Sequence, residues 1–290
     1  MFLNLIARFF FVLIGITPFP LLGIWEYSAY FLTRYILKYR KKVVRKNLEL
    51  AFPKQSDAYY KKLEKQFYHY FVRNFLEMAK TAHISGSTLA SLNRFSNVDE
   101  INKYLREGKS VILAFGHHNN WVWPMILSEM VNAPVYMVYR QLANKHIDGW
   151  LRNNRCAPNV IYVEKKSTAR YFLKAAKEQQ PSVFMMVADQ SPSSDKGIHW
   201  VDFMNIKTPF YRGIEFFATK FNMPVFFTET LCTKKYNYEH TFRLIYDGTE
   251  KVKEGIITQR FASALEEAVK KQPGNYLWSH KRWKKIIEYE

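Results

Sequence analysis

Short apolar runs alternate with helix-patterned segments from residue 110 to residue 271, and no other feature limits the fold as strongly. Residues 110–115, SVILAF, are apolar at every position after Ser110, as in a strand buried on both faces. Residues 134–139, 160–163, 183–188 and 225–230 repeat the pattern, and 242–247 close the series. Between them the spacing predicts helices near 119–131, 145–154, 167–179 and 210–221, with an amphipathic helix over 256–271. Such alternation predicts an α/β fold, a mainly parallel central sheet flanked by helices. Upstream, Ser56 suits the N-cap of a helix whose Leu63, Phe67, Tyr70, Phe71, Phe75 and Met78 form an apolar stripe read as core. A shorter helix around 100–107 stops at Gly108. No internal repeat, low-complexity stretch or Gly/Ser/Pro-rich linker divides this body.

The first thirty-two residues are different in kind. Only Arg8 and Glu26 are charged there, and Pro18 and Pro20 interrupt the apolar run. Neither half reaches the roughly twenty apolar residues of an uninterrupted spanning helix. A kinked spanning helix, a membrane-embedded helical hairpin and a buried amphipathic pair all satisfy this pattern. A signal peptide does not, since no basic region precedes the run and no small-residue cleavage site closes it. The basic cluster Tyr39-Arg40-Lys41-Lys42-Val43-Val44-Arg45-Lys46 follows at once. Positive-inside logic puts that flank, and the body after it, on the cytoplasmic side of an inner membrane. The cluster also suits anionic head groups. We therefore expect a membrane anchor over residues 1–35 and an α/β body over 36–290.

Charge narrows the partners without choosing one. Lys and Arg number 43 against 25 Asp and Glu, a net +18, which fits nucleic acid, an acidic protein or an anionic lipid surface. The cations are dispersed and no nucleic-acid-binding motif appears, so no specific nucleic acid is expected. Two cysteines, Cys156 and Cys232, are too few for a disulfide scaffold or a Cys-rich zinc site.

The segment Phe115-Gly116-His117-His118-Asn119-Asn120-Trp121-Val122-Trp123 directly follows a buried strand, where ligand sites of open α/β sheets gather. Gly116 permits a sharp turn, and His117 is expected at the start of the next helix. A histidine there is suited to general-base work near neutral pH. A packed loop histidine or a metal ligand are the alternatives. Adjacent His117 and His118 rarely face one ion, and no second cluster supports a metal. Other signatures fail: Gly108-Lys109-Ser110 has Lys103 where a phosphate loop needs its leading glycine.

This segment resembles the Gly-His-x-x-Asn-Trp-Glu block of the bacterial lipid A late acyltransferases, members of the lysophospholipid acyltransferase superfamily. The resemblance runs along nearly the whole chain. It includes Tyr39 to Leu48 with Ala51-Phe52-Pro53, then Tyr139-Arg140 with Asn144-Lys145, and Ala188-Asp189-Gln190-Ser191-Pro192. Thr208-Pro209-Phe210 with Gly213, and the closing block from Pro273 to Lys284, complete it. It implies transfer of a fatty acyl chain from a thioester, on acyl carrier protein or coenzyme A, to a hydroxyl of a lipid A precursor or related membrane lipid. Neither a metal nor another cofactor is implied. His117 becomes the base, and Arg140, Asn120, Asp189 and Gln190 become candidates for binding substrate or the oxyanion. Of these, Asp189 is placed to position Arg140, and Trp278, His280 and Arg282 to support the acceptor groove.

One position departs from the pattern. The family carries an acid five residues after its histidine, and here that position is Val122. Valine can neither hold an imidazole tautomer nor stabilise an imidazolium. Either another acid serves His117, with Asp189 the candidate, or the chain is a weakened or silent homologue that binds lipid or carrier without efficient transfer.

Overall fold

The computed structural model describes residues 2–141, 148, 149, 152, 156, 157 and 159–289. Strands β1 (Asn93–Ser96), β2 (Val111–Phe115), β3 (Val135–Tyr139), β4 (Val160–Glu164), β5 (Val183–Val187), β8 (Val225–Lys234) and β9 (Asn237–Tyr246) form one sheet in the order β1-β9-β8-β2-β5-β3-β4. Every neighbouring pair is parallel except β8 with β9. The mixed α/β class with a mostly parallel sheet is therefore as the alternation predicts.

Strand β2 lies at the centre, paired with β5 and β8, and all of it is buried. Its alternate residues feed two cores. Val111, Leu113 and Phe115 pack with Val135, Met137, Met185 and Phe226 on one face. Ile112 and Ala114 pack with Tyr136, Phe184, Met186 and Phe227 on the other. Two covered faces explain why the run has no polar residue to alternate with. The second face is roofed by α3 (Lys41–Ala51), α4 (Asp57–Thr81), α7 (Thr168–Lys177), α8 (Gly213–Lys220) and α9 (Ile256–Lys271). The first is covered by α5 (Gly86–Ser91), α6 (Val98–Arg106) and a 3-10 turn, Trp123–Glu129.

Several expectations need correction. No helix starts at residue 119: the chain takes a left-handed turn at Asn119 (φ 55°) and becomes helical only in that 3-10 turn. His117 consequently lies in a loop rather than at a helix start. Phe210 belongs to a strand, since β6 (Ile198–Phe203) and β7 (Ile206–Tyr211) form an antiparallel hairpin and α8 begins after it. In α4 the buried stripe is Leu63, Phe67 and Tyr70, continued by Leu76 and Ala79, whereas Phe75 is exposed. Most of the helix expected over 145–154, with Asn144 and Lys145, falls outside the described residues.

The N-terminal segment folds as α1 (Phe2–Ile16), a 3-10 turn and α2 (Leu22–Phe31), broken at Pro18 and Pro20, and then a π turn, Leu32–Ile36. Among the described residues no helix is long and apolar enough to cross a membrane. Helices α1 and α2 lie on α4, held by polar bonds as well as apolar ones. The Lys80 ammonium donates to the carbonyls of Gly15 (2.7 Å) and Thr17 (2.9 Å), carbonyls left open where α1 ends. Buried Glu26 accepts from Arg73 at 3.1 Å and pairs with Lys235 at 2.8 Å. Burial alone would raise its carboxyl, but hydrogen bonds from His69, Arg73 and Lys235 hold it down at about 2.

Candidate active site

Parallel pairing brings the C-terminal ends of β2, β5 and β3 side by side, and with them His117, Asp189 and Arg140. The turn after β2 is close-packed. A Cβ on Gly116 would come within 2.3 Å of the buried Leu265 side chain on α9, so any larger residue there would have to push that side chain aside.

His117 and Asp189 form a tight pair. The imidazole Nδ1 lies 2.5 Å from Asp189 Oδ1, and the His117 backbone N–H donates to Oδ2 at 2.9 Å. Asp189 is 2% exposed. Burial by itself would raise its pKa, yet the charge and hydrogen bonds of His117, with the Arg282 charge behind them, hold it at about 2. An ionised carboxylate only accepts, so Nδ1 carries a proton in either state of the ring, and in the neutral imidazole Nε2 is the nitrogen with the lone pair. The Gln190 side-chain amide donates to that Nε2 at 3.1 Å. The Trp121 ring stands edge-on to the imidazole, 4.8 Å between centroids. The Asp189 carboxylate, the two imidazole nitrogens and the Gln190 amide thus form one hydrogen-bonded chain.

The loop that carries His117 is braced from two sides. The Tyr70 hydroxyl, on α4, reaches the carbonyls of His117 (3.1 Å) and Asn119 (3.2 Å). Residues 275–277 run along it: Leu277 N–H donates to the His117 carbonyl, and Asn119 N–H to the Asn275 carbonyl. His118 faces the opposite way. It is buried, bonds through Nε2 to the Gln272 carbonyl at 3.1 Å, and burial pushes its pKa down to about 4, so it is a neutral strut.

Asn120 works within the turn. Its Oδ1 accepts from the N–H groups of Val122 (2.9 Å) and Trp123 (2.8 Å), and its amide donates to buried Glu77 at 2.7 Å. Val122 is half-buried against the apolar core on the first face. The Glu77 carboxyl also accepts from the Tyr238 hydroxyl at 2.6 Å, and burial, only partly offset by these bonds, raises it to about 7.

Trp278, His280 and Arg282 back the site from behind. Trp278 is buried and donates to the Pro273 carbonyl at 2.6 Å. His280 Nε2 accepts from the Ser191 N–H at 2.9 Å, fixing the loop that carries Asp189 and Gln190. Burial lowers its pKa to about 4, which keeps that nitrogen free to accept. Arg282 is buried, donates to the Pro209 carbonyl at 2.9 Å and lies 4.1 Å over the Phe210 ring. Arg140 is exposed, and among the described residues no ion pair joins it to Asp189, so the expected Asp189–Arg140 positioning is replaced by Asp189–His117. Tyr70 was legible only as a member of a helix stripe and Glu77 was not singled out at all; Asn275 lay in the closing block with no role attached.

Among the described residues no group of three His, Cys, Asp or Glu side chains converges as a metal site would require. The arrangement can accept a proton at Nε2 and stabilise the resulting imidazolium through Asp189. Residues 2–285 match the family described as bacterial lipid A biosynthesis acyltransferase. No curated protein matches the chain.

Proposed function

The chain belongs to the bacterial lipid A biosynthesis acyltransferase family, and from that premise we propose that it moves a fatty acyl group from a thioester to a hydroxyl of a lipid A precursor, with His117 as base and Asp189 as its acid partner. The observation that carries this reading is the 2.5 Å contact between His117 Nδ1 and a buried, ionised Asp189, which leaves Nε2, facing the Gln190 amide, to take a proton. The acceptor hydroxyl takes the place of the Gln190 amide on Nε2. As its oxygen attacks the thioester carbonyl, the proton passes to Nε2, and Asp189 stabilises the imidazolium. Collapse of the tetrahedral intermediate breaks the C–S bond, and the proton moves from Nε2 to the departing sulfur. An ester and a thiol are formed, with no acyl-enzyme and no metal.

Around this core we assign Arg140, exposed one strand beyond β5, to the anionic part of a substrate. Gln190 holds Nε2 between turnovers. Asn120, Trp278, His280 and Arg282 keep the pair in place through the bonds already described. The donor is acyl carrier protein or coenzyme A, and the +18 charge favours encounter with either anion. We place the body at the cytoplasmic face of the inner membrane, seated by α1, α2 and the π turn. Ile24, Tyr27, Ile36 and Leu37 there are all more than 60% exposed, an apolar surface suited to lipid.

A silent homologue that binds lipid or carrier without transfer is the second reading, favoured by Val122. Lipid mass spectrometry of a deletion strain separates them. The active reading expects lipid A one acyl chain short, restored by the gene and not by its His117→Ala form; unchanged lipid A favours the silent one.

A further inference from the structure

Away from the His117 edge, α3, the π turn and the first half of α4 enclose a half-open cavity of about 540 Å³, within the range of small-ligand sites. Six cations line it against two carboxylates, Glu49 and Glu64. Both carboxylates are engaged by a single guanidinium, since Arg45 bonds Glu49 at 2.6 Å and Glu64 at 3.2 Å and also takes Asp57 from outside. Arg34, Lys41, Lys42 and Lys46 are left without a carboxylate partner among the described residues. Arg34 donates to the Tyr30 hydroxyl and Lys46 to the Glu288 carbonyl, neither of which neutralises charge.

The start of α3 adds to the same field. Helix N-termini favour anions, and lysines there work against the helix dipole. Yet α3 opens on Lys41 and Lys42, with no side-chain cap and no acid in its first turn. An anion seated in the cleft satisfies both the lysines and the helix end. Immediately before it the chain exposes Phe31, Leu32, Tyr35, Ile36 and Leu37. A cationic cleft beginning where an apolar ridge ends matches an amphiphile, with acyl chains on one side and phosphate on the other.

We infer that this cleft binds the phosphorylated head group of a membrane lipid, at a seat separate from the acyl-transfer site. Unlike diffuse attraction to a charged surface, a seat has fixed walls. The far side of α3 is also fixed: Asn47 donates to the carbonyls of Trp278 (2.7 Å) and His280 (2.8 Å), and Tyr289, which lines the cleft, bonds Asn47. A head group held there sets the height and tilt of the body through the same segment that braces the Asp189 loop. The inference rests on the proposed membrane attachment and not on the chemistry at His117.

The test uses the full chain in vesicle co-flotation. One set of vesicles is phosphatidylcholine alone, and the other includes phosphatidic acid. Lys41→Ala/Lys42→Ala should weaken binding to the acidic vesicles at least about tenfold while leaving neutral vesicles unchanged. Lys41→Arg/Lys42→Arg should stay within about threefold. Lys174→Ala/Lys177→Ala removes equal charge from α7 and should change binding less than about twofold. Equal losses for the two alanine pairs would reduce the effect to diffuse charge and overturn the site, as would no loss for the cleft pair. A loss on neutral vesicles as well would mean a damaged apolar face and also count against it. Displacement by soluble glycerol phosphate would make the ligand a free anion, not a lipid. If the native chain ignores neutral vesicles but binds acidic ones through Lys41 and Lys42, the apolar attachment fails and the head-group site stands; if it binds neither, both fall.

Discussion

Two buried carboxyl groups flank the 117–123 turn, and their surroundings shift their pKa values in opposite directions. Glu77, beneath the Asn120–Val122 side, is hydrogen-bonded by neutral donors, the Tyr238 hydroxyl and the Asn120 amide, with the Arg73 charge acting on it without a bond, and burial still raises it to about 7. Asp189, on the His117 side, feels the same burial but also an imidazole, a backbone N–H and the Arg282 charge, and it falls to about 2. Equal desolvation therefore decides nothing; the partner decides. Neutral donors leave a structural acid, whereas a titratable partner makes an acid that can share a proton's work. Val122 packs on the Glu77 side of this divide, where a carboxylate would add a second acid to a dry core.

The largest effect expected is at the base itself. His117→Ala should cost at least about 10⁴ in kcat with the fold retained, whereas His118→Ala should chiefly lower Tm. Turnover of an acyl thioester, with thermal unfolding alongside, checks both. Next comes Gln190→Glu, which sets a carboxylate against Nε2. A nearby anion favours the imidazolium, so the acidic limb of the kcat/KM profile should move to higher pH by about one unit. An unmoved limb would mean that Gln190 does not face the working nitrogen.

Glu77→Gln should change kcat less than about threefold but alter stability in a pH-dependent way. Its folded pKa is raised from 4.5 to about 7, so its stabilising contribution is complete below about 4.5 and lost as pH rises through about 7. The amide variant should lack that loss, worth up to about 3 kcal/mol, in urea titrations from pH 4 to 8. Val122→Glu should give the smallest effect on turnover, within about twofold, with a lower Tm from carboxylate burial. A gain of about tenfold or more would mean that the missing acid mattered and that Asp189 does not fill its role.

How much of this could be read from the chain follows from how local each cause is. β2 and the Gly116-His117 turn were legible because burial on two faces writes an unbroken apolar run. The β6–β7 hairpin was not. Its two-residue turn, Met204-Asn205, takes φ of 54° and 60°, a conformation that usually advertises itself with glycine. Phe210 was consequently read into a helix. The His117–Asp189 pair spans 72 positions and exists because β5 pairs with β2. Alternation implies a parallel sheet but not which strands adjoin, so Asp189 could be named as an acid without being placed. Tyr70 was hidden differently: a helix stripe looks the same whether a polar member faces a neighbouring loop or merely flanks the core, and Glu77, off that stripe, gave no signal.

The central claim is that Asp189 supplies the acid that position 122 lacks. Asp189→Asn keeps the size of the side chain but removes its charge and leaves one acceptor oxygen for two donors, Nδ1–H and the His117 backbone N–H. Its kcat, measured on the membrane-seated full chain with acyl thioester and lipid acceptor, should fall about 10⁴-fold, as expected when an imidazole loses its tautomer-setting carboxylate. Turnover within about tenfold of the native chain, with the same Tm, would contradict the account.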